Sequence, residues 1–182
     1  MSKLGAGPIP LTPSPRGEGG RLQVLIGVAS VGAGLSLAAV VYYFSFGASL
    51  LEPMSQATAQ SLAWLLGAVG MTVGVQGSTI TSGAFGITIA PGCTPAAPLL
   101  LYLGAVAGYP STWPAKLKGA LLGIVCLTAV NFVRVTTLFF IGKYSPNHLE
   151  VMHTIIWQSL LILATLGLWL YWVQRYAAKS RA

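Results

Sequence analysis

The sequence predicts an all-α integral membrane protein with about four transmembrane helices, an amphipathic helix on the outer face and a small β-hairpin. Three observations lead there. Of the 182 residues, 54% are apolar and only 7% are charged, whereas a soluble domain carries about 25% charged residues. The apolar residues gather in runs near the 20-residue length that crosses a bilayer. Between Arg21 and Lys116 only Glu52 is charged at neutral pH. The net charge of +7 therefore sits in short patches between apolar runs, the pattern of membrane loops. A nucleic-acid partner would require a continuous basic face instead. Disorder is excluded by the apolar content, and two cysteines exclude a disulfide scaffold.

The elements follow in order. Residues 1–21 hold four prolines and five glycines, a composition that cannot pack a core, and read as a flexible basic cytoplasmic tail. Residues 22–46 form the first span, ending in interfacial aromatics. The run is longer than the apolar region of a cleavable signal peptide, about 7–15 residues. Residues 53–75 begin polar, and their apolar part, Leu62 to Val75, reaches about 21 Å against a hydrocarbon core of about 30 Å. That fits an interfacial amphipathic helix, with Met54, Leu62, Leu65, Leu66 and Val69 near one face. Residues 76–92 alternate around a Thr81-Ser82-Gly83 turn signal and read as a hairpin. Residues 95–113 form the second span, kinked or ended by Pro110. Residues 119–141 form the third, containing Arg134. Residues 153–174 form the fourth, and residues 176–182 a basic cytoplasmic tail. Residues 22–175 then make one membrane-embedded domain.

Charge fixes the expected topology. The N-terminal tail, the Lys116/Lys118 loop and the C-terminal tail are all basic, and the positive-inside rule places all three in the cytoplasm. This holds only if residues 53–75 do not cross. Four spans result, in the cytoplasmic (inner) membrane, with both termini cytoplasmic and residues 47–94 and 142–153 outside. Lys143 alone falls on the wrong side. Cys93, Arg134 and His153, from three distant segments, converge on the outer face.

Each has a reactive and an inert reading. Cys93 precedes Thr94, a good helix N-cap, and Pro95, a good first helical residue. The positive end of a helix dipole with a nearby cation favours an anionic sulfur, but Cys is also a common small filler at a turn. Cys126, in mid-span, reads as packing. Arg134 costs at least about 2.5–3.5 kcal/mol inside a bilayer and faces either the bundle interior or, by snorkelling, the headgroups. Thr128, Asn131, Arg134 and Thr137 recur every three residues as a slanting polar stripe, in which Asn131 would orient Arg134. His153, at a helix start, has the chemistry of an acid–base catalyst or of an inert interfacial side chain. Thr154 and Gln158 continue its polar face, and His148 reads as solvated. Cys93 and His153 supply two metal donors where a structural zinc uses four, and a single histidine does not specify haem. No metal and no cofactor is expected.

The cysteine ahead of a span, the NFVRV segment from Asn131 to Val135 and the HTIIWQ segment from His153 to Gln158 resemble the exosortase/archaeosortase family. NFVRVTTLFFIGKY followed by H-x3-WQ is most similar to the short exosortase H type. The likeness covers roughly residues 50–175, including the amphipathic helix and hairpin ahead of the cysteine. It implies a membrane-embedded cysteine transpeptidase or protease with Cys93, Arg134 and His153 as its catalytic residues and Asn131, Thr94 and Gln158 in support. The implied partners are exported proteins ending in a short motif, a transmembrane helix and a basic tail, with an amine or water as acceptor and membrane lipid around the chain. Many members have C-S/T-G where this chain has Cys93-Thr94-Pro95. The alternatives are a non-enzymatic membrane assembly factor or scaffold, which needs no reactive thiol, and a small transporter subunit, which predicts inverted repeats; no internal repeat is visible.

Overall fold

The computed structural model describes residues 16–47 and 50–177. Helix α1 (Arg16–Gly47) carries the first apolar run, Leu25–Phe44. It begins ahead of that run, so the last six residues of the expected N-terminal tail are helical. Once nucleated, a helix extends at the cost of one residue per hydrogen bond. Residues 1–15 of that tail, and 178–182 of the C-terminal one, lie outside the described residues.

Helix α2 (Glu52–Ala68) is the expected amphipathic helix. It buries Ser55, Ala59, Leu62 and Leu66 and leaves Trp64 exposed. Small Ser55 and Ala59 extend the buried face where the sequence suggested Met54 and Val69, because they let the helix approach its neighbour. The hairpin has gained a strand: β1 (Gly74–Gln76), β2 (Thr79–Ser82) and β3 (Phe85–Thr88) form an antiparallel meander in the order β1-β2-β3. Val75 pairs with Ile80, and Ile80 with Ile87. Both loops are two residues long and place a glycine first, Gly77 at φ 59° and Gly83 at φ 63°, as two-residue hairpin loops demand.

Helix α3 (Ala96–Gly108) ends just before Pro110, and Tyr109 is extended, as the residue before a proline prefers. Lys116 Nζ donates to the Ala107 carbonyl at 2.6 Å, satisfying the helix C-terminus. Helix α4 (Trp113–Tyr144) runs 32 residues. After a 3₁₀ turn (Pro146–His148) the last rod comprises α5 (Leu149–Val151), a π turn (Met152–Ile156), α6 (Trp157–Trp172) and a second π turn (Val173–Ala177). Three stretches, Leu25–Phe44, Trp113–Tyr144 and Pro146–Ala177, are long and apolar enough to cross a membrane. The remaining expected span, around α3, has a helix of only 13 residues, about 20 Å. It packs against α1, α4 and α6. At membrane depth, non-helical backbone is tolerated where protein covers it.

Backbone-to-backbone contact joins α1 to α3. A Cβ on Gly34 would overlap the Gly104 carbonyl, and one on Gly108 would overlap the Ser30 carbonyl. Gly104 and Gly108 form a small-xxx-small pair, the device by which helices associate in lipid. Gly104→Leu should therefore cost about 1–3 kcal/mol by overpacking, seen as a lower thermal-aggregation midpoint in detergent. Gly67→Leu, with open space around Gly67, should stay within about 0.5 kcal/mol. Equal effects would refute the close contact.

Two apolar cores lie along α4. One joins Ala59, Leu62 and Leu66 of α2, Ile80 of β2, Ile89, and Val135 and Phe139 of α4. The other joins Tyr102, Val106, Leu127, Trp172 and Ala177, with Trp172 Nε1 donating to the Ala115 carbonyl at 2.8 Å. Ala115, Gly119, Gly123, Leu127, Asn131, Val135 and Phe139 all face inward at four-residue steps. Asn131 and Arg134 fall between the two cores, where the site lies.

Candidate active site

Cys93 closes a 3₁₀ turn, Pro91–Cys93, just ahead of α3. Its N–H donates to the Ala90 carbonyl at 2.8 Å. Thr94 is buried; its Oγ1 donates to the Pro91 carbonyl at 2.7 Å and accepts from Ala96 N at 3.4 Å. The expected cap is displaced by one residue: Pro95 is the N-cap, and its carbonyl accepts the first helical bond from Leu99 N at 3.0 Å. Proline suits that boundary because the position needs no N–H donor. Thr94 acts as a brace across the turn and keeps the sulfur near the helix N-terminus.

The sulfur meets His153. Cys93 Sγ and His153 Nε2 are 3.4 Å apart, across 60 residues of sequence. His153 does not start a helix, as the sequence suggested, but lies within the π turn of a rod that begins earlier. A π turn widens the helix by one residue, and such turns recur at functional sites; no residue pattern announces it. His148 is exposed in the 3₁₀ turn, as expected.

Arg134 faces the bundle interior and is 2% exposed, so the headgroup-snorkelling alternative does not describe it. Its Nε is buried with no hydrogen-bond partner, and the guanidinium lies within electrostatic reach of the Cys93 and His153 side chains. The slanting stripe breaks up. Asn131 and Arg134 are buried, but Thr128 is exposed, and Thr137 bonds back to the Val133 carbonyl at 2.8 Å. Residues three apart drift by about 60° around a helix, so four of them cannot share one narrow face. Asn131 does not bond Arg134. Its Nδ2 donates to the Cys93 carbonyl at 3.0 Å, and its Oδ1 is buried and unpartnered. It thus clamps the cysteine's backbone to α4.

Gln158 lines a cavity of about 740 Å³ that also touches Gly92 and Arg134. Thr154 instead bonds back to the Glu150 carbonyl at 2.6 Å. Cys126 is half-buried on α4, two turns before Arg134. Lys143, the charge that fitted no cytoplasmic patch, donates to Ser82 Oγ at 2.9 Å and ties α4 to the sheet. Among the described residues no three His, Cys, Asp or Glu side chains cluster.

Together these features define a helical integral membrane protein with a thiol–imidazole pair beside a buried cation. A family model described as transmembrane exosortase (Exosortase_EpsH) matches residues 24–172, and the chain belongs to that family. The family is generally peptidase- or transpeptidase-like and is associated with exported proteins that carry C-terminal sorting signals. No curated protein and no solved structure matches the chain.

Proposed function

We propose that this chain is a membrane-embedded cysteine transpeptidase or peptidase that processes C-terminal sorting signals of exported proteins. The observation that carries the reading is the 3.4 Å approach of Cys93 Sγ to His153 Nε2 beside the buried Arg134. His153 takes the thiol proton as Cys93 attacks the scissile carbonyl carbon. The S–C bond forms, and the developing oxyanion is stabilised by the charge of Arg134, which a low-dielectric setting strengthens. The C–N bond then breaks, and His153 returns the proton to the leaving amine. An amine or a water attacks the resulting thioester, gives a proton to His153, and the departing sulfur recovers it. Asn131 and Thr94 hold the cysteine's turn.

Residues 22–175 form the catalytic unit on this reading, with both termini cytoplasmic and Cys93 on the outer side, as the basic patches favour. A membrane-impermeant maleimide should then label Cys93 but not Cys126 in intact spheroplasts; labelling only after the membrane is broken would reverse the orientation. The activity is tested by reconstituting the full chain with exported proteins encoded beside its gene that end in a motif, an apolar helix and a basic tail. The expected result is a shortened product that hydroxylamine traps as a hydroxamate. If every such protein stays full length, the proposal fails.

A further inference from the structure

The cavity beside the site is larger than a thiol–imidazole pair requires. It measures about 740 Å³ and is walled by α1, α3 and α6, with Gly92 and Arg134 at one end and Trp169 toward the other. Helix α1 packs along α3. It lines the cavity opposite α6 without packing extensively against it, and Ile162 and Leu166 of α6 are both lining residues and exposed. The space is therefore a cleft that opens sideways, toward lipid, between α1 and α6.

Its dimensions suit a helix. From Gln158 to Trp169 on α6, and from Val31 to Tyr42 on α1, the lining runs eleven residue steps, about 16 Å or three turns. Spread over that length, about 740 Å³ is a mean cross-section of about 45 Å², a little over half that of a helix about 10 Å wide. A guest helix would sit half-embedded and keep its other face in lipid. The α3 wall sets Ala97 and Ala105 among Pro98, Leu101 and Tyr102, and the two small residues permit close helix approach.

The end near Cys93 is different. Arg134 Nε is buried and unpartnered, and the Gln158 amide is exposed at the same end. Both can donate hydrogen bonds at a depth where lipid chains accept none. The extended segment ahead of a guest helix has carbonyls outside the helical ladder, and these can accept from both donors.

We infer that this cleft is the docking site for the apolar helix of the substrate, which enters sideways from the bilayer between α1 and α6. This rests on the activity proposed above. The helix lies along α6, and carbonyls of the extended segment ahead of it accept from Gln158 and Arg134 and lead the scissile bond past Gly92 to Cys93.

The test uses the full chain carrying Cys93→Ala, so that capture does not depend on turnover. It is reconstituted in phosphatidylcholine–phosphatidylglycerol vesicles. The probe is a synthetic peptide with a polar extended segment, about twenty Leu/Ala residues and C-terminal arginines. A photo-reactive benzoylphenylalanine replaces Ile162 in the cleft or, as control, Leu121 on the lipid-facing side of α4. Both positions are exposed, so neither replacement disturbs the core. Cross-linking to the peptide should be about tenfold greater from position 162, matching a preference of about 1.4 kcal/mol. Gln158→Leu should reduce it. Equal yields from the two positions, or adducts at 162 with lipid alone, would overturn the inference. Preferential capture at position 162 by a chain that leaves every exported protein of the cleavage assay full length would refute the activity while upholding the cleft.

Discussion

Cys93→Ala should lower substrate cleavage by at least about 10³-fold, because a covalent route has no substitute for its nucleophile. The change removes one half-buried sulfur next to the apolar cluster of α2 and the sheet, so the protein should still fold and extract normally. Cys126→Ala provides the control. That thiol is on the same helix as Arg134 but about 12 Å further along its axis, and its loss should leave the rate within about twofold. Cleavage by the Cys93→Ala chain at more than a tenth of the normal rate would eliminate the thioester route. Loss of cleavage in the Cys126→Ala chain would shift the chemistry to the wrong sulfur. Hydroxylamine trapping gives a second readout, since only a chain with Cys93 can yield the hydroxamate.

Arg134→Leu should lower turnover by about 10²–10³, the usual cost of removing an oxyanion-stabilising group. Here the direction of the stability change separates function from folding. On insertion scales arginine at mid-span costs about 2.5–3.5 kcal/mol and leucine gains about 0.3–0.6 kcal/mol, so the substitution favours the membrane-inserted state. A slower enzyme that is no less stable locates the defect in the reaction. Turnover number should fall more than apparent substrate affinity, because the charge matters most once the oxyanion forms. Arg134→Lys should recover only part of the rate, since a point ammonium does not reproduce the planar fork of donors. An Arg134→Leu chain that cleaves normally would reduce Arg134 to a structural residue.

Much of this was legible in the sequence because the bilayer restricts what it admits. The scarcity of charge marked Arg134 as a residue needing explanation, and the same reasoning isolated Cys93 and His153. The amphipathic helix was visible because Leu62 and Leu66 recur at helical spacing over a stretch too short to span. What the sequence concealed involves distance rather than residue type. Strand β1 is three residues, Gly74–Gln76, too few to show alternation, and it exists because β2 offers it an edge. Asn131 is equally compatible with orienting Arg134 or gripping the Cys93 carbonyl, and only the packing of α3 against α4 decides. Lys143 looked misplaced while topology was the only criterion; its partner, Ser82, lies 61 residues away. Gly104 and Gly108 had a recognisable spacing, but it gains meaning only when Gly34 is found opposite.

The π turn at Met152–Ile156 makes the meeting of sulfur and imidazole a matter of helical phase. Each residue advances a helix by about 100°. Deleting one residue from that turn would leave α6 seated against α3 and α4 but swing His153 about a quarter-turn away from Cys93. The thiol–imidazole pairing and the membrane anchorage are thus set by separate parts of the same rod: anchorage by which side chains α6 carries, pairing by how many residues precede them. A lineage could therefore part the sulfur from the imidazole, or re-aim the pair, by losing or gaining a single codon, with no change in hydrophobicity to betray the event.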